Sequence, residues 1–179
     1  MTSTTGRSPI TPASVISQVP AVWISARARA EGQRLKLTAG GDDYYRALFY
    51  GGNEVGEGDL VYALESQTYN GPWEDVSEDV EKYNGLLRYG WNQGDTRYIT
   101  TVMGYSNRWN SADQIPRRAV RSGLIDELGS LDEDAGGESE RYSLSLSWSN
   151  PRQQGTIYAI DYGLNLWSNF TYFLDDPVN

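Results

Sequence analysis

The chain has 179 residues, no cysteine, no histidine and a net charge of −9. These absences exclude disulfides, a thiol nucleophile, histidine-based acid–base catalysis and the usual zinc sites, and the scattered basic residues argue against nucleic-acid binding. The 19 glycines and 19 tyrosines and tryptophans are typical of a β-rich protein with many turns. No run of 18 apolar residues is present, so the sequence predicts no transmembrane helix.

Residues 1–32 are predicted to form an irregular lead-in. The stretch ASVISQVPAVWISA at 13–26 is mildly apolar, but Ser17, Gln18 and Pro20 interrupt it and only Arg7 precedes it as a basic residue. This pattern favours a lead-in over a signal peptide.

A two-residue alternation of apolar and polar side chains predicts seven β-strands. The first five span residues 33–39, 44–51, 59–68, 81–92 and 96–106, and the last two lie within 141–176. Helical turns are expected at 74–83 and 117–129. The apolar sides are assigned as Leu35 and Leu37; Leu60, Tyr62 and Leu64; Tyr83, Leu87, Tyr89 and Trp91; Ile99, Met103 and Tyr105; Tyr142, Leu144, Leu146 and Trp148; and Tyr158, Ile160, Tyr162, Leu164 and Leu166.

Beyond the first hairpin, the connections between these strands alternate in length. Short ones are expected at 40–43, 53–58, 92–95 and 150–155, and long ones at 69–79 and 107–140. In an antiparallel meander the long connections then share one end, as in outer-membrane barrels. Segments of about 9–11 residues and aromatic residues near strand ends fit the same architecture. The predicted fold is therefore all-β: an antiparallel meander forming part of a transmembrane β-barrel with about seven long strands.

A soluble, acidic β-sandwich that binds carbohydrate through tryptophan-bearing loops is the alternative, because an apolar strand face can also pack into a dry core. The adjacent carboxylates Glu74–Asp75 and Asp175–Asp176 give no sign of a shared pocket. No catalytic base is identified, so we expect no enzymatic activity and no catalytic residues.

Four blocks resemble the barrel of bacterial TonB-dependent outer-membrane receptors, and the similarity extends over residues 32–179. They are YNGPW at 69–73, GYSNRWNSADQIPRRAV at 104–120, GSLDEDAGG at 129–137 and SNFTYFLDDPVN at 168–179. The resemblance implies a barrel of about 22 strands around a plug. Such receptors import scarce ligands, such as metal chelates, vitamins or glycans, and are driven by the TonB complex through an N-terminal box.

The resemblance implies that residues 33–179 form the N-terminal part of the barrel, in the bacterial outer membrane, against lipid and lipopolysaccharide. Residues 1–32 are too few for a plug and contain no TonB box, and the chain stops where an extracellular loop is expected. We therefore expect a fragment, a truncated gene product or a decayed copy of a receptor, and the parent meets the TonB complex only through the missing N-terminal part. No cofactor and no nucleic acid are expected.

Candidate ligand-binding residues lie in the loops expected to be extracellular. Trp109, Asn110, Asp113 and Gln114 combine a stacking ring with amide and carboxylate groups, as sugar or chelate binding needs, although a role in holding the loop's own fold explains them equally well. Arg117 and Arg118 suit a carboxylate or phosphate, although contact with lipopolysaccharide or simple solubility explains them as well. Trp73, in the other long loop, completes the set: Trp73, Trp109, Asn110, Asp113, Gln114, Arg117 and Arg118.

Two further polar groups have different expected roles. The acidic LDEDAGGESE at 131–140 lacks the ligand spacing of an EF-hand, so a solvated loop without metal is predicted there. Glu65, Lys82, Arg88 and Asp161 lie on the polar sides of predicted strands and are expected to line a wet lumen.

Overall fold

The computed structural model describes residues 32–112 and 114–168 and contains seven β-strands and one short helix. The predicted lead-in, apart from Gly32, and the block at 168–179, apart from Ser168, lie outside these residues. The strands are β1 Arg34–Ala39, β2 Tyr45–Val55, β3 Gly58–Tyr69, β4 Val80–Gln93, β5 Thr96–Asn110, β6 Gly136–Ser149 and β7 Gln154–Trp167, and the helix is α1 Arg117–Arg121.

The strands form one antiparallel meander in the order β1 to β7, which confirms the predicted all-β fold. The sheet does not close into a barrel: β1 and β7 do not pair with each other within the described part of the chain. The predicted loop at 107–140 is too long, because β5 runs to Asn110 and β6 starts at Gly136. A helical turn forms at α1, whereas the one predicted at 74–83 is wrong, because the chain enters β4 at Val80.

The connections separate into two classes at opposite ends of the sheet, as predicted. At the turn end, residues 56–57, 94–95 and 150–153 reverse the chain. Gly56 and Gly94 take φ values of 60° and 59°, which the tight turns of twisted hairpins require. At the loop end, residues 40–44, 70–79 and 111–135 connect the strands.

Cross-strand register divides the side chains between two faces. Glu65 lies opposite Asn84, and Lys82 lies opposite Asn107, so these residues share one side, which we call the polar face. The opposite side, the apolar face, carries the following residues: Leu35, Leu37, Phe49, Leu60, Tyr62, Leu64, Tyr83, Leu87, Tyr89, Trp91, Tyr98, Val102, Tyr142, Leu144, Leu146 and Trp148.

Two assignments of strand sides are wrong. In β5, Ile99, Met103 and Tyr105 lie on the polar face, because Tyr105 pairs with Asn84 and Met103 with Leu86. In β7, the apolar row that includes Ile160 also lies on the polar face, opposite the serines of β6. The cause in β7 is the four-residue turn at 150–153, since the number of turn residues fixes which sides of the two strands match.

The sheet has almost no apolar core of its own. Among the described residues only Val61, Val76, Ala119 and Ala135 are buried apolar side chains, and Val61 alone lies in a strand. Leu64, Leu87, Val102 and Leu144 of the apolar face are 46–58% exposed. Within the described residues no helix is long and apolar enough to cross a membrane. The apolar surface of this protein therefore lies on the outside of a single sheet.

Candidate functional site

The three connections at the loop end fold against one another into a structure that we call the loop cap (residues 40–44, 70–79 and 111–135). The Asn70 backbone N–H donates to the Asp42 carbonyl at 2.9 Å, and the Asn70 side-chain amide donates to the Asp43 carboxylate at 2.8 Å. The Ser130 N–H donates to the Asp75 carboxylate at 3.0 Å. The first loop thus contacts the second, and the second contacts the third.

The loop cap holds most of the buried apolar residues of the described chain. Val76, Ala119 and Ala135 are at most 5% exposed, and the buried Ser130 hydroxyl donates to the Asp132 carbonyl at 2.8 Å. Small buried side chains and backbone hydrogen bonds together give the loops a defined conformation. The cap is therefore a folded surface presented at one end of the sheet.

Trp73 and Asn110 are brought together by the segment that precedes β4. The Trp73 indole N–H donates to a Glu78 carboxylate oxygen at 2.6 Å. The Asn110 backbone N–H donates to the Glu78 carbonyl at 2.7 Å, and its side-chain amide donates to the Ser77 carbonyl at 3.0 Å. Both predicted ligand-binding residues thus use polar groups to hold the loop.

The other predicted ligand-binding residues are dispersed. Trp109 lies on the polar face, opposite the face that carries Asn110, and its ring packs so close to Gly137 that a Cβ there would lie 2.7 Å away. Arg117 and Arg118 are exposed on α1, and Gln114 is exposed just before it. Asp113 lies outside the described residues. Among the six of these residues that the structure describes, Trp73 and Asn110 meet at residues 77–78, whereas Trp109 lies on the other face of the sheet.

The loop cap is strongly acidic. Residues 40–44, 70–79 and 111–135 contain twelve acidic and three basic residues, a net charge of −9 that equals the charge of the whole chain. The Asp132 carboxylate accepts the Asp134 N–H at 3.1 Å, a local loop contact. In the part that the structure describes, no group of three or more histidine, cysteine, aspartate or glutamate residues is arranged to hold a metal ion.

A cluster of charges on the polar face was not predicted. Arg46 donates to Glu65 at 2.7 Å, Lys82 lies 3.9 Å from the other Glu65 oxygen, and both Glu65 and Lys82 are buried. Arg97 forms a second ion pair with Asp59. The signal was present in the sequence, since opposite charges occur at polar positions of three successive strands, but only the register shows that they meet.

The expected lumen residues divide between the faces. Glu65, Lys82 and Arg88 share the polar face, as predicted. Asp161 does not: it lies on the apolar face opposite Tyr142, because the β6–β7 turn fixes that register. Asp161 is therefore a charged residue at an exposed, otherwise largely apolar surface.

The apolar face contains a groove of about 550 Å³ near its centre. Its floor is formed where Gly85 lies opposite Gly104, and Leu64 and Tyr142 stand at its sides. Nearer the turn end, Tyr89, Trp91 and Tyr98 stack in a row, with ring centroids 5.7 and 5.3 Å apart.

No protein-family model, curated protein or solved structure matches this chain.

Proposed function

We propose that this chain forms seven consecutive strands of the barrel of a TonB-dependent outer-membrane receptor, whose complete form imports a scarce ligand such as a metal chelate, vitamin or glycan. The supporting observation is the two-sided sheet, with half-exposed leucine, valine and aromatic side chains on one face and buried ion pairs on the other. A lipid-facing apolar side and a polar interior are the pattern of outer-membrane barrels.

The dimensions of the apolar face fit a bilayer. Tyr83 and Trp91 stand near opposite ends of β4 on this face, eight residues apart, which is about 26 Å along the strand. A barrel tilt of about 40° reduces the separation to about 20 Å across the membrane, near the roughly 25 Å apolar band between the aromatic girdles of such barrels. Tyr98 and Trp148 lie beside Trp91 at the turn end and extend the aromatic girdle there across β5 and β6.

The polar face fits a wet interior. Five charged residues there form ion pairs, in the Arg46–Glu65–Lys82 cluster and the Arg97–Asp59 pair, while the serines of β6 and Asn84 add neutral hydrogen-bonding groups. Paired charges of this kind are tolerated beside water but are costly in lipid. The polar face therefore supports the inward orientation.

The loop cap is the part that we assign to the outer surface of the cell. Long extracellular loops and short periplasmic turns are the rule in bacterial barrels. Ligand contacts of the parent receptor would then involve cap residues, with Arg117 and Arg118 on its exposed surface beside lipopolysaccharide. Import would depend on the TonB complex acting on the parent protein.

The direction of the edge strands sets a condition on the complete barrel. β1 and β7 both run from the turn end to the loop end, because six reversals separate them. Antiparallel closure of the sheet therefore needs an odd number of additional strands, and closure is required because unpaired edges are excluded from hydrocarbon. A barrel of about 22 strands meets this condition.

The experiment that tests the proposal compares folding in buffer and in detergent micelles. We expect cooperative urea unfolding only with detergent, and quenching of Trp91 and Trp148 by brominated detergent in single-tryptophan variants that retain one or the other. A single-tryptophan variant that retains Trp109, on the polar face, should be quenched far less. A monomeric, cooperatively folded chain in plain buffer would contradict the membrane assignment.

A matched pair of variants sharpens this test. Leu144→Arg places a charge on the apolar face and is expected to cost about 2–4 kcal/mol of stability in detergent, whereas Ser145→Arg, on the polar face, should be mild. Equal losses for the two variants would argue against a lipid-facing apolar side.

A soluble carbohydrate-binding module is the second candidate function, favoured by the stacked row of Tyr89, Trp91 and Tyr98. Partly exposed aromatic side chains that line a surface can stack on sugar rings. This function predicts that the chain folds without detergent and that a soluble polysaccharide quenches the tryptophan fluorescence in buffer. Absence of both effects would remove it.

A further inference from the structure

Two glycines form the floor of the groove on the apolar face, and nothing in the sheet requires them. Gly85 and Gly104 lie directly opposite each other inside their strands, with continuous pairing on both sides, and neither has a positive φ. A Cβ at Gly85 would lie 3.6 Å from Leu64, and one at Gly104 would lie 3.5 Å from Tyr142, which are ordinary contact distances. Because glycine weakens a strand and often marks a place where another molecule approaches the backbone, this pair indicates an occupant of the groove.

The groove lies just inside the level of the aromatic girdle at the loop end. Tyr83 and Ser106 form the row next to Gly85 and Gly104 on the side of the loop end, and Tyr83 is 52% exposed. Tyrosine side chains of this kind mark the boundary between headgroups and hydrocarbon. A lipid molecule at this depth has its headgroup beside the rows beyond Tyr83 and the upper part of its acyl chains beside the groove.

A single cation stands beyond Tyr83, towards the loop end. Among the basic residues of the described strands, only Arg108 lies on the apolar face. It is exposed, lies four residues from Gly104, about 13 Å along β5, and takes part in none of the ion pairs among the described residues. Glu81 and Glu138, both exposed, lie opposite it on the two neighbouring strands. At the headgroup level the sheet therefore presents one cation between two anions.

We propose that the groove and the Glu81–Arg108–Glu138 row together bind one molecule of a phospholipid with a phosphoethanolamine headgroup, an inference that rests on the lipid-facing role proposed above for the apolar face. One acyl chain lies over Gly85 and Gly104. The phosphate accepts hydrogen bonds from the Arg108 guanidinium, and the ammonium group donates to the carboxylates beside it. A headgroup that is only anionic would meet two carboxylates without a balancing charge, so the row selects a lipid that carries both charges.

Native mass spectrometry of the full chain tests the groove. The chain is released from detergent micelles that contain equal amounts of phosphatidylethanolamine, phosphatidylglycerol and lipid A, and we expect one phosphatidylethanolamine molecule to stay bound. Gly104→Leu fills the groove and should lower this retention about tenfold, the equivalent of two fewer buried methylene groups. Thr100→Leu, on the same face of β5 but outside the groove, is the control and should retain the lipid. Equal retention by the two variants would overturn the inference.

The same measurement tests the headgroup. Arg108→Gln should lower the retention of phosphatidylethanolamine about tenfold, because a charge-assisted hydrogen bond to the phosphate is lost. Arg152→Gln, which removes an exposed arginine at the turn end, should leave retention unchanged. If the unmodified chain retains phosphatidylglycerol or lipid A as well as phosphatidylethanolamine, the assigned headgroup is wrong.

Urea unfolding in lipid-free detergent shows whether the variants are folded and gives a further test. Gly85→Ala should raise the unfolding midpoint, because alanine fits at this position and stabilises a strand, while it lowers lipid retention. A lower midpoint would show that the sheet itself needs the glycine and would overturn the inference. The receptor proposal fails by a different result, cooperative folding of the unmodified chain in plain buffer, so the two failures are distinguishable.

Discussion

Replacing Glu65 by glutamine is expected to lower the free energy of unfolding by about 3 kcal/mol. Glu65 contacts Arg46 at 2.7 Å and Lys82 at 3.9 Å, and the three side chains are only 5, 16 and 6% exposed, so water screens them weakly. With an effective dielectric constant of about 20, the two contacts correspond to roughly 6 and 4 kcal/mol of gross attraction. Part of this is offset because a neutral amide is easier to bury, which leaves about 3 kcal/mol.

Urea unfolding in detergent, followed by tryptophan fluorescence, measures this loss. Glu54→Gln is the matched control. Glu54 lies in β2 on the same polar face of the sheet as Glu65 but is exposed, so its replacement should change the free energy of unfolding by less than about 0.5 kcal/mol. Arg46→Gln, alone and combined with Glu65→Gln, completes a double-mutant cycle, whose coupling energy should be at least about 1 kcal/mol. If Glu65→Gln behaves like Glu54→Gln, the buried cluster does not stabilise the sheet and the reasoning is wrong.

Two further predictions concern the turn end and the loop cap. Gly58→Ala should lower the free energy of unfolding by about 2 kcal/mol in the same urea titration, because the new Cβ would lie 2.4 Å from a carbonyl oxygen of β4. Gly41→Ala is the control and should be close to neutral, because a Cβ there has nothing within 4 Å. Similar losses for the two variants would contradict this steric explanation. Asp75→Ala removes the acceptor of the Ser130 N–H and should cost about 1–2 kcal/mol locally. Amide exchange should then accelerate in residues 111–135 but not in β4, and unchanged exchange in that loop would refute the contact's role.

Much of the architecture could be predicted because alternation is a local property of an extended chain. Leu60, Tyr62 and Leu64 stand at every second position, and the structure places them on one face of β3 as expected. The order of short and long connections follows directly from where the alternation stops. Strand ends were less accurate: β5 and β6 continue into residues that were predicted to be loop, since backbone pairing does not require an alternating pattern.

The candidate site was predicted only in part. Trp73 lies in a loop, as predicted, whereas Asn110, which was expected in the next long loop, is the last residue of β5. Their contacts to Glu78 and its neighbour depend on how separate loops meet. The third loop meets the second through Asp75 and Ser130, 55 positions apart in the sequence. Such contacts between loops follow no regular spacing along the chain, so no local sequence pattern predicts them.

The sequence by itself determined that this protein is a set of two-sided strands joined by alternating turns and loops, because each strand's pattern is written in adjacent residues. Only the tertiary structure decided which sides of neighbouring strands lie on the same face of the sheet. Asp161 and Ile160 show the difference. Their alternation is unambiguous in the sequence, but the register set by the four-residue turn places Asp161 on the apolar face and Ile160 on the polar face. The Arg46–Glu65–Lys82 cluster likewise exists only once three strands are in register, because side chains meet across strands through pairing and not through sequence distance.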